Sequence, residues 1–479
     1  MGKRLSWVLG IFTLLLGIGG VWFAYEHYFR LPFALSESAK KEPWFVQSGL
    51  RMLTLRKNVP TVDRVVLVPD SATFLVAIQQ WNLQGRWPIL IEDQQYTPLF
   101  LQRFKAAEVI RLPAVKTPLP KGQDLRQTML KVVASAWEAT DPASLKEQWQ
   151  QLGWEPPGAV LTWEKDPAWP AAVALAADRG QPLLFVEGDF GKPNDTLNNS
   201  QWQKLQLAVQ QAVDQAGYNY ALLGDSIDTI TMVRQLAVKY QSPQKSDEQL
   251  AVTDGLGRFP NRDRWAIAGW IYGSPAHAVY QAMCSIFLDT ENVLLYDSYP
   301  QEGSWKDYGM NSAANDLKEM GLNITLVQQP EASREGWRSL TSVEWDFDLI
   351  LMNSKGMKDS FFVGGGDLSV KDIPKLNIPV AIHFLHSWSA TAPDQKDTIA
   401  GKLLNEGAYV YVGSVHEPYL SAFVPAKLLA ERLSQFTPFL IASRQFNAPP
   451  WKVTTIGDPL MMVMKPRQRI SPKERPLLP

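Results

Sequence analysis

The sequence predicts an α/β protein: a single N-terminal transmembrane helix followed by doubly wound, mostly parallel-sheet units. Three observations predict it. Leu5 to Tyr25 carries no charged residue. From residue 64 onward, short continuous apolar runs alternate with helical stretches, the pattern of strands buried on both faces. The chain is 46% apolar and 20% charged, which are globular values that exclude wholesale disorder. With 479 residues, length alone suggests roughly three domains.

Met1 to Arg4 is a short positive segment, and the 21 uncharged positions after it would span about 30 Å as a helix, the thickness of a hydrocarbon core. Trp7, Trp22 and Tyr25 lie where interfacial aromatics belong. Lys3 and Arg4 precede the span, so residues 1–30 are expected to form an anchor. The N-terminus would be cytoplasmic and the bulk extracytoplasmic, a single-pass membrane protein tethered by a signal anchor. A cleaved signal peptide is the other reading, but the run exceeds an h-region and no A-x-A site follows it.

Residues 31–60 show scattered charge and no sustained period, and are expected to be a linker. Residues 61–245 read as a duplicated α/β region. The first copy has an apolar strand from Arg64, a helical stretch to Leu83, then Gly85, Pro88 and the strand Ile89–Ile91. The second has a strand from Gly158, a helix over Ala171–Ala177, then Gly180, Pro182 and the strand Leu183–Val186. This unit resembles the type 2 cell-wall-binding repeat, which implies a binding or spacer role. A second doubly wound unit is expected over 251–465, with strands around Asn292–Asp297, Phe347–Met352, Val380–Leu385 and Ala408–Gly413. Residues 466–479 read as a tail.

The 251–465 segment resembles the gingipain-like branch of the caspase–haemoglobinase fold. The resemblance lies in the order of its parts: Gly257-Arg258-Phe259-Pro260, the alternating strands, Gly407-Ala408 and a terminal Gly457-Asp458-Pro459. It implies a cysteine peptidase with a His-Gly dipeptide after the third strand and a nucleophilic Cys after the fourth. This chain instead reads Asn353-Ser354-Lys355-Gly356 and His386-Ser387-Trp388-Ser389-Ala390 at those places. A thiolate with an imidazole in hydrogen-bond reach is what such chemistry requires. The single cysteine, Cys284, precedes the first strand of the unit, so cysteine-peptidase activity is expected to be lost.

Other chemistry is open at the same strand ends. Ser387 or Ser389 could serve as nucleophile with Lys355 or His416 as base, since Ser-Lys and Ser-His pairs both support acyl transfer. Asn353, His386, Ser414 and Glu417 are candidate ligand-binding residues around them. The competing reading is that these side chains cap loops and strands. His383 and His386 point to opposite faces of a strand, so no metal is expected. Gly364-Gly365-Gly366 lacks phosphate-loop spacing, and no cofactor is expected. Asp346 and Asp348 stand at the wrong end of a strand for a site and are expected to be solvated. The 18 tryptophans read as core, with Trp154 and Trp169 the first to be exposed if any are. A net charge of −1 with no basic stripe excludes a nucleic-acid footprint. The expectation is a catalytically degenerate, caspase-like binding or scaffold protein, a pseudoenzyme whose partner is a cell-envelope component or a protein.

Overall fold

The structure is a computed structural model that describes residues 32–245, 247–300 and 302–477. Strands β1 (Arg64–Val68), β2 (Ile89–Ile91) and β3 (Glu108–Arg111) form a parallel sheet ordered β2-β1-β3. Val65, Val66, Leu67 and Val68 are all buried, as a strand covered on both faces must be. The next strands are β4 (Gly158–Thr162), β5 (Leu183–Phe185), β6 (Thr196–Leu197), β7 (Thr229–Val233), β8 (Lys239–Gln241), β9 (Gln249–Ala251) and β10 (Ile267–Ile271). They build a parallel sheet ordered β10-β7-β4-β5 and a small one ordered β6-β8-β9. In both larger sheets the unit's first strand leads through a helix to a parallel neighbour, by Ser71–Ile78 and then by Trp169–Arg179. The second sheet continues past residue 251, because β10 pairs with β7.

The C-terminal strands are β11 (Asn292–Asp297), β12 (Asn323–Gln328), β13 (Leu349–Asn353), the hairpin β14 (Ser360–Val363) and β15 (Gly366–Ser369), β16 (Val380–Leu385), β17 (Ala408–Ser414) and β18 (Val453–Ile456). Six of them form one sheet ordered β12-β11-β13-β16-β17-β18, parallel except for β18. Its parallel part is a doubly wound arrangement whose strand order reverses between β11 and β13, where such sheets offer a ligand crevice.

Helix Trp169–Arg179 is buried along its whole length and packs on helix Pro275–Phe287. Alanines at 171, 172, 174, 176 and 177 keep it thin enough for that position. Its last two residues are nonetheless charged and fully enclosed. Asp178 accepts from Arg56 Nη1 at 2.9 Å and lies 3.5 Å from Arg86 Nη1. Arg179 donates to Asp458 at 3.0 Å and to the Ser285 carbonyl at 2.9 Å. A second cluster centres on Asp254, which pairs with Arg258 at 3.2 Å, Arg264 at 2.6 Å and Arg444, and accepts from the Trp451 amide at 2.9 Å. Burial alone would raise the Asp254 carboxyl, but the three guanidiniums outweigh it and hold the group well below the usual carboxylate range.

Several expectations are corrected here. Among the described residues no helix is long and apolar enough to cross a membrane. Helix Asn199–Ala216, with 18 residues, buries only a stripe of Trp202, Leu205, Val209, Ala212 and Val213, so it is amphipathic rather than spanning. The anchor expected over residues 1–30 lies outside the described residues, and the transmembrane, signal-anchor, single-pass and extracytoplasmic assignments that rested on it are withdrawn. Within 31–60, helix Trp44–Asn58 buries Val46, Met52 and Leu55, and Phe33 packs on Trp137 and Trp154. In the tail, Ile470 bridges to Val62 and Arg64 donates to the Arg475 carbonyl at 2.8 Å. Trp154 and Trp169 are buried, and Trp154 Nε1 donates to the Gly180 carbonyl at 2.8 Å. Asp348 is also buried: it pairs with Arg103 and accepts from the amides of Glu291 at 2.7 Å and Asn292 at 3.0 Å.

Replacing Asp254 by Asn would leave three guanidiniums without a counter-charge in the interior. Urea unfolding of Asp254→Asn is expected to show a loss of about 3–5 kcal/mol, the usual effect of breaking a buried ion pair from one side. A loss below about 1 kcal/mol, the range of a surface pair, would contradict this role for the cluster.

Candidate functional site

The crevice between β11 and β13 is filled by the protein's own side chains. Asn353, the last residue of β13, is buried and donates from Nδ2 to the Tyr308 carbonyl at 2.8 Å and to Asp297 Oδ1 at 3.3 Å. Ser298 Oγ donates to the Asn353 carbonyl at 2.8 Å. The Tyr299 hydroxyl reaches the Ser354 carbonyl, and its ring lies 4.0 Å from that of Trp305. A substrate entering at the switch point would have to displace this set.

The next gap, between the ends of β13 and β16, holds the two positions at which the resemblance places a catalytic His and Cys. His386 fills it. Its Nε2 lies 3.0 Å from the Ser360 carbonyl, and because a carbonyl only accepts, Nε2 carries the proton. Gly356 closes over the same atom with φ +154°, and a Cβ there would sit 2.8 Å from Nε2. Burial keeps the imidazole neutral, lowering its pKa to about 4. Lys355 does not enter the gap: it is exposed, with Nζ 4.8 Å from the centre of the Phe362 ring, a cation–π contact.

One polar cluster does assemble, at the ends of β16 and β17. Ser387 Oγ donates to Glu417 Oε1 at 3.2 Å, and Trp388 Nε1 donates to Glu417 Oε2 at 3.0 Å. Trp388 adopts φ +63°, a left-handed conformation that costs a non-glycine residue roughly 1–2 kcal/mol. The Glu417 bond holds it there, together with a ring contact to His416 at 3.9 Å. His416 is half-buried, and burial followed by the charges of Lys452 and Lys239 lowers its pKa. Among the described residues no hydrogen bond joins the His416 ring to Ser387.

Ser389 is turned away from this cluster, and Ser414 meets it only at the backbone. Ser389 is fully buried, and a Cβ on Gly413 would fall 2.6 Å from its Oγ and 2.6 Å from the Tyr411 ring. Ser414 Oγ donates to the His416 carbonyl at 2.6 Å. Cys284 is buried in helix Pro275–Phe287, and burial raises its thiol well above the ordinary value, which leaves it a poor nucleophile. Of the eight sequence candidates, the structure therefore brings Ser387, His416 and Glu417 together. It separates Ser389 and Lys355 from them, ties the Ser414 hydroxyl to the His416 backbone, and closes Asn353 and His386 into the interior. Sequence reasoning missed Trp388, although it lies between two of the candidate serines, and Tyr299, which two small polar candidates would not have flagged.

No protein-family model matches this chain, and no curated protein matches it. A solved structure described as "Structure of Protease" is similar to it, with a TM-score of 0.41 and 11% sequence identity over 64% of this chain and 78% of that one.

Three imidazoles, those of the buried His383 and His386 and of the half-buried His277, give the stability a definite pH dependence. His277, His383 and His386 are each lowered by burial from an ordinary 6.5 to about 4. Between those values the unfolded chain takes up protons that the folded one refuses, so stability is whole above about pH 6.5 and is lost as pH falls towards 4. In His386→Gln the slope of unfolding free energy over that window should fall by roughly 1.4 kcal/mol per pH unit, one proton's worth. Urea melts at half-unit pH steps measure it, and an unchanged slope would show that His386 does not titrate in this way.

Proposed function

We propose that this protein acts by binding and not by catalysis, as a hydrolase-like α/β scaffold of caspase-like design whose catalytic positions have been replaced. The observation that carries the reading is the filled gap between β13 and β16. There the His386 ring bonds the Ser360 carbonyl under Gly356, where a peptidase would need an open nucleophile and base. The switch-point crevice beside it is occupied by Asn353 and Tyr299 in the same way. Under this reading the polar groups at the strand ends hold loops in place, and a protein partner is recognised on the surface those loops form.

A second reading, a hydrolase using Ser387, draws on one contact, the 3.2 Å bond from its hydroxyl to Glu417. A carboxylate can accept that proton, but it is a weak base for an alcohol, and acyl transfer at serine ordinarily uses an imidazole or amine. The His416 ring packs at a tilt of 43° against Trp388 instead. Ser389, the other serine candidate, is enclosed.

Incubation with a fluorophosphonate probe separates the two readings. No covalent adduct on the folded wild-type chain is expected by mass spectrometry. An adduct that disappears in Ser387→Ala and persists in Ser389→Ala would overturn the proposal in favour of the serine hydrolase.

A further inference from the structure

A groove of about 670 Å³ runs beside the end of β17, within the range of roughly 300–1,000 Å³ typical of ligand sites. It is separate from the closed gaps of the C-terminal sheet. Its walls are helix Asn199–Ala216, the β8–β9 hairpin, the Arg258–Arg262 loop, and the segments that follow β17 and precede β18. Pro418 and Tyr419 on its rim come directly after Glu417 in the chain, which joins the groove to the Ser387 cluster.

The lining is rich in aromatic rings: Trp202, Tyr240, Phe259, Tyr419 and Trp451 all contribute to it. Gln203, Gln206 and Gln210 lie on one stripe of the helix facing the groove, spaced by three and four residues as neighbours on a helical face are. Prolines 243, 260, 418, 449 and 450 supply flat apolar faces to the walls.

The charge is one-sided. Lys245 and Arg262 are exposed and form no ion pair among the described residues, whereas the lining carboxylate, Glu248, lies 3.7 Å from Lys452 Nζ. At the rim Tyr419 is 75% exposed and Leu207 56% exposed, open apolar surface on the same groove. An occupant must therefore supply apolar faces to prolines and aromatic rings, and negative charge to the rim. An extended polyproline-type segment suits an aromatic-lined groove, and its carbonyls have no internal partners and are free for the side-chain amides of Gln203 and Gln206. A neutral sugar would leave both cations unanswered.

We propose that this groove binds an extended, acidic, proline-bearing segment of a partner protein. The proposal rests on the reading that the protein acts by binding but is independent of whether Ser387 retains any reactivity. Its test is fluorescence anisotropy with the full chain and a labelled decapeptide of alternating proline and glutamate. The wild-type protein is expected to bind it saturably. Binding should weaken at least about tenfold, or 1.4 kcal/mol, in the double variant Lys245→Glu/Arg262→Glu and again in Tyr419→Ala. These residues are exposed, so circular dichroism of the variants should match the wild type. A decapeptide of alternating proline and lysine should not bind. Absence of saturable binding, equal binding of the two peptides, or unchanged affinity in both variants would overturn the proposal. So would binding of a uronic-acid oligosaccharide in the groove with the peptide left free. The outcome with the fluorophosphonate probe alters none of these results, so the two readings fail separately.

Discussion

Carboxylates and guanidiniums enclosed together near the end of one alanine-rich helix are what join the three larger sheets. Taking such charges out of water costs several kcal/mol per ion unless partners are close and well oriented. Asp178 and Arg179 can occupy a fully buried position only because Arg56 and Arg86 reach them from the first unit and Asp458 from the last. Each pair thereby dictates a relative placement of elements remote in sequence. Asp458 belongs to the Gly457-Asp458-Pro459 turn after β18, and the Gly457 carbonyl and Pro459 ring lie against β10 where Gly269 has no side chain. The edge of the C-terminal sheet is thus locked to the second sheet, and the Asp254 cluster fastens the same edge from its other side through Arg444 and the Trp451 amide.

This arrangement bears directly on the strand ends. Most polar side chains on the loops beyond β16 and β17 bond neighbouring groups, while the Nδ1 atoms of His386 and His416 have no partner among the described residues. Ser414 bonds the His416 carbonyl, Glu417 holds Ser387 and the Trp388 indole, and His386 bonds the Ser360 carbonyl. The groove that does remain open lies to one side, where the loops after β17 and before β18 meet helix Asn199–Ala216.

The alternating strand and helix pattern was legible because strands buried on both faces are written as continuous apolar runs, as in Val65–Val68 and Val293–Tyr296. The residues behind the family resemblance were legible too, but their roles were not. Arg258 and Asp458 take part in structural ion pairs, and no local pattern reveals a partner such as Arg179, 279 positions away. Asp348 was misread for the same reason, since Arg103 and two amides that satisfy it come from elsewhere in the chain. The helix Trp44–Asn58 escaped notice because its hydrophobic stripe is short and interrupted by Ser48, Gly49 and Arg51, all buried. At the site, residue types at the strand ends were readable, whereas the inward turn of Ser389 depends on Gly413 leaving room beneath it.

Buried ion pairs make the three larger sheets one cooperative body. Urea unfolding of the wild type and of Asp458→Asn, followed in parallel by far-ultraviolet circular dichroism and tryptophan fluorescence, tests it most directly. Coincident transitions for the two probes are expected in the wild type and separated ones in the variant, where Arg179 loses its nearer carboxylate and keeps only Asp178, at 3.7 Å. Two transitions already present in the wild type, or a variant that unfolds with both probes still coincident at the wild-type midpoint, would contradict it.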